Sequence, residues 1–154
     1  FEAIYYLPDF VKFVDECKRV LRNGGRILIA TANKDLYDFS PSTYSFRYYG
    51  VDELSSILNS NGFGVSFFGY LPTTKVSLKQ KILRPIKKIA VNMDLMPKTM
   101  AGKKFLKRLV FGSLVSMPAE ILPDMYPYKE PTPLPSNTPD SIHKVIYCAA
   151  TLGR

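Results

Sequence analysis

The side chains best placed for chemistry follow directly after the first predicted strand. Asn33 is the first residue beyond this strand, and open α/β sheets place their ligand crevices at the carboxyl ends of strands. Asn33 therefore either orients a polar group of a substrate or forms the turn that leaves the strand. The loop that follows carries the aromatic residues Tyr44, Phe46, Tyr48 and Tyr49. Their rings either form the wall of a pocket for an apolar or planar substrate or pin the loop to the core.

Other catalytic arrangements leave no trace in the sequence. His143 is the only histidine, with no carboxylate, cysteine or second histidine at metal-ligand spacing. We therefore predict that it starts a strand and that there is no metal site. Cys17 and Cys148 lie on apolar faces and are predicted to be core residues. No Ser-His-Asp or phosphate-loop arrangement appears, so the catalytic residues are unknown from the residues alone.

Two helices and three strands are predicted to position these side chains. Asp9 can cap a first helix whose apolar residues recur at helical spacing, and Asn23-Gly24-Gly25 supplies a left-handed stop. Residues 26–32 form a nearly continuous apolar strand, residues 52–61 a short helix, residues 63–70 a strand and residues 142–152 a final strand. We expect the first and last strands to be covered on both faces. This order is typical of the α/β class.

Charge separates one central segment from the rest of the chain. The net charge is +8, and residues 75–115 hold eleven basic side chains against Asp94 alone. Two apolar stripes at helical spacing predict basic amphipathic helices in this segment. These helices either pack on the domain as a lid or bind anionic lipid or a phosphate-bearing substrate. Nucleic acid is less favoured, because aromatic residues do not alternate with the charges. Seven of the twelve prolines lie within residues 118–139, which predicts a stiff connection.

Two stretches of the sequence carry a family resemblance. Residues 1–9 read FEAIYYLPD and residues 20–33 read VLRNGGRILIATAN. The first stretch resembles the fourth strand of class I S-adenosylmethionine-dependent methyltransferases, which runs into a Leu-Pro-Asp segment. The second stretch resembles the end of the family's next helix, Leu-Arg-x-Gly-Gly, followed by its fifth strand. Residues 48–54, YYGVDEL, and residues 61–63, NGF, resemble the family's fifth helix and the entry to its sixth strand.

The resemblance implies an α/β fold that is the C-terminal half of a Rossmann-like methyltransferase domain, with a mixed sheet and a helical insertion. The last strand of the sheet would run antiparallel between the fifth and sixth strands. Residues 1–72 and 141–154 would form this core fragment, with three strands and two helices. Residues 73–140 would form the basic helical insertion and the proline-rich connection. The family's Gly-rich turn has no counterpart here, since Gly24-Gly25 precedes its strand.

The resemblance also implies which residues meet the methyl donor, S-adenosylmethionine. Phe1, Glu2 and Ala3 occupy the family position that lines the donor and substrate cavity, although Glu2 by itself is typical of a solvated carboxylate. Tyr6 stands where many members have a histidine, so it either faces the substrate or packs at the helix entry. The predicted substrate-binding residues are therefore Tyr6, Asn33, Tyr44, Tyr48 and Tyr49.

The sequence thus predicts a fragment of an S-adenosylmethionine-dependent methyltransferase with an unidentified small-molecule or lipid acceptor. The isolated chain is expected to bind the donor weakly or not at all. It is also expected to form a homo-oligomer, because its first strand lacks a covering neighbour. The alternative is a non-enzymatic module that binds anionic lipid or RNA through its basic helices. No signal peptide is evident, and the uncharged, mainly apolar stretch at residues 109–119 is shorter than the ~20 residues of a membrane span. We therefore expect a cytoplasmic protein.

Overall fold

The structure, a computed structural model, describes residues 1–73 and 118–153, together with Thr99, Ala101, Gly102, Lys104, Phe105 and Arg108. Its elements are a 3-10 turn at Ile4–Tyr6, helices α1 (Phe10–Val20) and α2 (Val51–Ser60), and strands β1 (Arg26–Ala32), β2 (Phe63–Pro72), β3 (Thr132–Leu134) and β4 (His143–Leu152). The predictions of both helices and of the three long strands are confirmed within two residues. The first predicted basic helix lies outside the described residues, whereas Lys104, Phe105 and Arg108 of the second are helical.

Side-chain caps explain where the two helices begin. The Asp9 carboxylate accepts a hydrogen bond from the backbone N–H of Lys12 at 3.0 Å, which satisfies a donor that the first turn of α1 leaves free. At α2 the Glu53 carboxylate reaches back to the backbone N–H of Gly50 at 3.0 Å. The predicted cap at Asp9 is therefore confirmed.

The two helices end in different ways. After α2, Gly62 adopts a left-handed backbone with φ 84°, which glycine tolerates at little cost. After α1, the chain becomes extended at Leu21, and the left-handed residue, Gly24 with φ 75°, lies in the turn that leads into β1. The prediction that Asn23-Gly24-Gly25 itself stops α1 is therefore wrong in position, because the helix has already ended at Val20.

The sheet has the strand order β1-β4-β2-β3. β4 pairs antiparallel with β1 on one side, as in Ile29 opposite Cys148. It also pairs antiparallel with β2 on the other side, as in Phe67 opposite Cys148. β1 and β2 therefore point in the same direction and their carboxyl ends meet at one edge of the sheet. The prediction that the last strand returns between the two preceding long strands is confirmed.

The core lies on one face of this sheet. Phe10 and Val14 of α1, Leu54 of α2 and Ile146 and Cys148 of β4 all belong to one buried cluster. Among the described residues, the prediction that β1 and β4 are covered on both faces holds only at Ile29, Ala30 and Thr31 of β1, which are all buried. Leu28 of β1 is 62% exposed, and alternate residues of β4 are only half-buried, because both helices pack on the same face.

Part of the proline-rich connection joins the sheet. β3 pairs antiparallel with β2, where Leu134 lies opposite Phe67, and this short strand has no counterpart in the sequence prediction. Its position at the edge agrees with the proline in it, Pro133, since proline removes a backbone donor from the ladder. Among the described residues, no helix is long and apolar enough to cross a membrane.

Candidate functional site

The candidate site begins at the N-terminal segment, which lies beside the edge of β1 that pairs with no other strand of the described residues. We call this the free edge of β1. The backbone N–H of Glu2 donates to the carbonyl of Ala30 at 2.7 Å. Glu2 adopts a left-handed backbone with φ 52°, a conformation that is costly for residues with a side chain and that clusters at functional sites. The N-terminal segment is therefore held against the sheet in a strained conformation at the position predicted to meet the donor.

A groove runs along this edge of the sheet. It has a volume of about 260 Å³ and an apolar lining of residues from the N-terminal segment, α1 and β1: Phe1, Ala3, Ile4, Leu7, Phe13, Ile27, Leu28, Ile29 and Ala30. We call it the β1-edge groove. Of the three predicted donor-binding residues, Phe1 and Ala3 line it, whereas Glu2 holds its backbone to β1.

The pairing register shows which backbone groups of β1 face this groove. Asn33 donates its backbone N–H to Lys144, and Gly25 accepts from Leu152, so the odd-numbered residues of β1 bond to β4. The even-numbered residues therefore point their backbone groups away from β4. Ala30 is one of them, and its carbonyl accepts from Glu2. Leu28 has the same orientation, which makes this edge able to pair with a further strand.

Aromatic rings of the N-terminal segment pack against rings of the loop that follows β1. The ring of Tyr5 stacks on that of Tyr48, with centroids 4.5 Å apart, and lies 4.7 Å from that of Tyr6. Phe39 meets Tyr48 edge-on at 4.8 Å. We call Tyr5, Tyr6, Phe39 and Tyr48 the tyrosine cluster. It joins the N-terminal segment to the loop over residues 33–50.

The tyrosine cluster contains one strongly perturbed hydroxyl. Burial and the neighbouring Glu2 carboxylate raise the pKa of Tyr5 to about 12, and the Tyr5 hydroxyl donates to Glu2 Oε2 at 3.3 Å. Tyr5 is therefore neutral near pH 7 and acts as a hydrogen-bond donor. The sequence prediction placed Tyr6 and Tyr48 in the site and missed Tyr5, although all three tyrosines were within the stretches that carry the resemblance.

The Asn33 side chain is enclosed in a buried polar hub. Asn33 is 1% exposed, and its Nδ2 donates to the carbonyl of Asp140 at 2.6 Å, to Asp140 Oδ2 at 3.0 Å and to the carbonyl of His143 at 2.8 Å. Its Oδ1 accepts the backbone N–H of Asp35 at 3.0 Å. The second part of the prediction, a side chain that forms the turn after the strand, agrees with this last bond. We call Asn33, Asp140 and His143 the Asn33 hub.

His143 occupies the first position of β4, as predicted. Its backbone N–H donates to Asp140 Oδ2 at 2.9 Å and its Nδ1 lies 3.1 Å from Asp140 Oδ1. A Cβ added at Gly69 would overlap the imidazole ring, so the ring packs directly on the backbone of β2. Asp140 was missed, because it is 107 residues from Asn33 and no local pattern marks the pair.

Charged residues fix both ends of the 33–50 loop. Burial alone would raise the pKa of Glu53, but hydrogen bonds from Lys34, the Gly50 backbone and Arg47 outweigh it and hold the pKa at about 2. The Lys34 and Arg47 nitrogens lie 2.5 and 3.0 Å from the carboxylate. Glu53 therefore joins the beginning and the end of the loop to α2.

Asp35 is the one carboxylate among the described residues with a buried oxygen, Oδ2, that lacks a hydrogen-bond partner. Burial raises its pKa, and the nearby carboxylates of Asp52, Glu53 and Asp140 act in the same direction, against Lys34. This carboxyl lies beside the polar hub, at the carboxyl end of β1, and is a further residue that the sequence prediction missed.

The remaining predicted residues separate into exposed and buried positions. Tyr44 and Phe46 are exposed, whereas Tyr49 is buried and its ring lies 4.9 Å from that of Phe10. The alternative in which the rings pin the loop to the core therefore holds for Tyr49.

Cys148 is buried as predicted, and burial raises the pKa of its thiol to about 12. Within the described residues, no group of three or more metal-ligating side chains is placed to hold a metal ion.

The chain is similar to curated proteins described as probable S-adenosylmethionine-dependent methyltransferases. Two of them, from Mycobacterium tuberculosis strains CDC 1551 and H37Rv, are each 38% identical over 69 residues, which cover 41% of this chain and 24% of the relative. One from Mycolicibacterium smegmatis is 38% identical over 71 residues, which cover 42% and 27%. The chain thus spans about a quarter of the length of the curated relatives that it matches. No family model matches the chain, and no solved structure matches it significantly.

Proposed function

We propose that this chain is the C-terminal half of an S-adenosylmethionine-dependent methyltransferase domain. The observation that carries the proposal is the position of β4, antiparallel between the parallel strands β1 and β2. The methyltransferase resemblance requires that position, whereas the local sequence pattern does not say which strands pair. The similarity to the mycobacterial relatives supports the same family.

The residues at the carboxyl end of β1 fit the chemistry of the donor. S-adenosylmethionine supplies an electrophilic methyl group on a positively charged sulfur. Aromatic faces and carboxylates attract such a cation. The Tyr5 ring and the Glu2 carboxylate supply both, and the Tyr5 hydroxyl lies 3.3 Å from Glu2 Oε2. In this proposal Phe1, Glu2 and Ala3 contact the donor.

The acceptor side of the proposed site is the tyrosine cluster with the loop that covers it. Methyl transfer needs a nucleophile held in line with the methyl group and shielded from water. The exposed ring of Tyr6 and the half-buried ring of Tyr48 form the accessible part of this surface, and Tyr44 extends it. Asn33 and Tyr49 have a positioning role in this proposal, because their contacts hold β1 and the 33–50 loop in place. The acceptor is a small molecule or a lipid.

Equilibrium dialysis with radiolabelled S-adenosylmethionine tests this proposal on the protein expressed from its natural gene. We expect one donor per protein, and we expect Glu2→Gln to weaken binding about tenfold, since a hydrogen bond or contact to a charged group contributes about 1.5–3 kcal/mol. Glu16→Gln, which changes an exposed carboxylate of α1, is the matched control and should bind like the wild type. Absence of donor binding by the folded protein would overturn the function.

The free edge of β1 leads to a proposal about assembly. Because Leu28 is exposed and its backbone groups point away from β4, we propose that the 154-residue chain by itself self-associates through this edge. Sedimentation velocity should then show a dimer or larger species. Leu28→Lys should shift the population to monomer, whereas Val11→Lys on the exposed face of α1 should leave it unchanged. A monomeric wild-type chain at high concentration would contradict this assembly.

A further inference from the structure

The Asn33 hub contains a histidine whose chemistry the proposed site does not yet use. His143 is the only histidine of the chain and is 5% exposed. It is the first residue of β4 and lies opposite Pro72, the last residue of β2, and Asn33 directly follows β1. His143 therefore lies at the edge of the sheet where β1 and β2 end, and open α/β sheets place their ligand crevices at this edge.

The hydrogen bonds of Asp140 show which ring nitrogen carries a proton. Its carboxylate accepts from three groups that can only donate, the amide side chain of Asn33 and the backbone N–H groups of Ile142 and His143. Nδ1 of His143 lies 3.1 Å from Oδ1 of the same carboxylate. Because a carboxylate accepts hydrogen bonds and does not donate them, we assign the proton to Nδ1. Nε2 then holds the electron pair that can accept a proton.

The fold holds the imidazole ring in one orientation. An added Cβ at Gly69 would overlap the ring at Cγ, Nδ1 and Cε1, so a larger residue at this position of β2 would displace the ring. On its other side the ring is bonded to Asp140, and the side chains of the pair are only 7% and 6% exposed. A carboxylate that bonds one ring nitrogen both orients an imidazole and stabilises the cation that forms when the other nitrogen takes a proton.

We propose that His143 is the general base that removes a proton from the methyl acceptor, and that Asp140 is its positioning residue. This inference rests on the proposed function, because it concerns the acceptor side of the same site. Such a base fits an acceptor hydroxyl, which is a weak nucleophile until it loses its proton. The O–H bond of the acceptor breaks, an N–H bond forms at Nε2, and the electron pair of the O–H bond stays on the oxygen. Asp140 stabilises the imidazolium, which afterwards releases the proton to water.

The tautomer of His143 can be measured without knowledge of the acceptor. Because the 154-residue chain has one histidine, long-range ¹H–¹⁵N correlations of the ring belong to His143 alone. We expect the neutral ring to carry its proton on Nδ1. Asp140→Asn should move the proton to Nε2, since the asparagine amide can donate to Nδ1. Asp124→Asn, at an exposed position of the proline-rich connection, is the matched control and should keep the wild-type tautomer. A wild-type ring with its proton on Nε2 would overturn the proposal.

Reaction with diethyl pyrocarbonate tests whether a bound group can reach Nε2, because this reagent adds to an imidazole nitrogen that holds a free electron pair. With the protein expressed from its natural gene, we expect the folded state to react at His143, as located by peptide mass spectrometry. His143→Gln should lose this modified peptide and still bind the methyl donor in equilibrium dialysis, since the base acts on the acceptor. A ring that reacts only after unfolding in urea would overturn the proposal, because His143 would then be structural.

S-adenosylhomocysteine separates failure of this inference from failure of the proposed function. At about ten times its dissociation constant, about one protein in ten lacks the ligand, so modification of His143 should slow about tenfold. If dialysis shows that S-adenosylhomocysteine binds and the modification rate is unchanged, His143 lies outside the methyl-transfer site and this inference alone fails. If the folded protein binds neither the donor nor S-adenosylhomocysteine, the proposed function fails and this inference falls with it.

Discussion

The loop over residues 33–50 and the loop over residues 121–128 are both rich in tyrosine, and their surroundings are opposite. In the first loop, Tyr48 stacks on Tyr5, Tyr49 packs against Phe10 and Arg47 lies over the Tyr49 ring at 5.2 Å. In the 121–128 loop, Tyr128 is 84% exposed. Composition therefore does not decide the role of such a loop. The residues that the fold places against the loop decide its role.

The comparison assigns different tasks to the two loops. The 33–50 loop has the rings of Phe39, Tyr48 and Tyr49 packed within the protein, so it can hold a site at the carboxyl end of β1 in a fixed geometry. The 121–128 loop leaves its apolar side chains exposed. A change in the first loop should cost stability, whereas a change in the second should leave stability intact.

The largest expected difference is between two tyrosines. Tyr49→Ala removes a buried ring from the core, and substitutions of this kind destabilise a domain by about 3 kcal/mol. Tyr128→Ala should change the free energy of unfolding by less than about 0.5 kcal/mol, as is usual at the surface. Urea unfolding followed by circular dichroism measures both. Equal effects would remove the distinction between the loops.

The Asn33 hub gives the next effect. Asn33→Ala removes the two N–H donors that three acceptors share and leaves the buried carbonyls of Asp140 and His143 without this donor. We expect a loss of about 2 kcal/mol, because a buried polar group that loses its partner costs about 1–3 kcal/mol. Asn137→Ala, at an exposed position of the proline-rich connection, is the control and should lie within the error of the urea measurement.

The smallest effect is the pH dependence of the anchor at Glu53. The folded state holds the pKa of Glu53 at about 2, below its ordinary 4.5. The stabilisation is therefore fully present above about pH 5 and is lost as the pH falls towards 2. Because the carboxylate is partly exposed, we expect only about 1 kcal/mol.

Unfolding measurements at pH 7 and at pH 3 check this prediction. Glu53→Gln should be less stable than the wild type at pH 7, and the difference between the two proteins should shrink at pH 3. Glu120→Gln, which changes an exposed carboxylate beside the 121–128 loop, should follow the wild type at both values. If the difference in stability between Glu53→Gln and the wild type grew on acidification, the ion pairs of Glu53 would not be what stabilises this region.

Much of the fold could be predicted from local sequence. Helix caps such as Asp9, apolar periodicity and the continuous apolar run of β1 depend on neighbouring residues, so they are visible in the sequence. The order of the strands came from the family resemblance, since periodicity alone does not say which strands pair. β3 was missed because Pro133 argues against a strand, and an edge position tolerates it.

The candidate site was less predictable for a physical reason. Asn33 and Tyr49 were recognised as residues with two alternative roles, and the choice depended on tertiary contacts with Asp140 and Phe10. Those contacts join residues that are far apart in the chain, and their hydrogen bonds and ring contacts leave no local pattern. Tyr5 was missed because its raised pKa arises from burial, which the sequence does not display.

The central claim is that the carboxyl end of β1 belongs to a methyl-donor site. Titration of the uniformly ¹⁵N-labelled protein, expressed from its natural gene, with S-adenosylhomocysteine tests it most directly through amide chemical shifts. The account predicts changes at residues 1–6 and at Ala32 and Asn33. Changes confined to the amino ends of β1 and β2, at Gly24, Gly25 and Gly62, or no change in the folded protein, would contradict it.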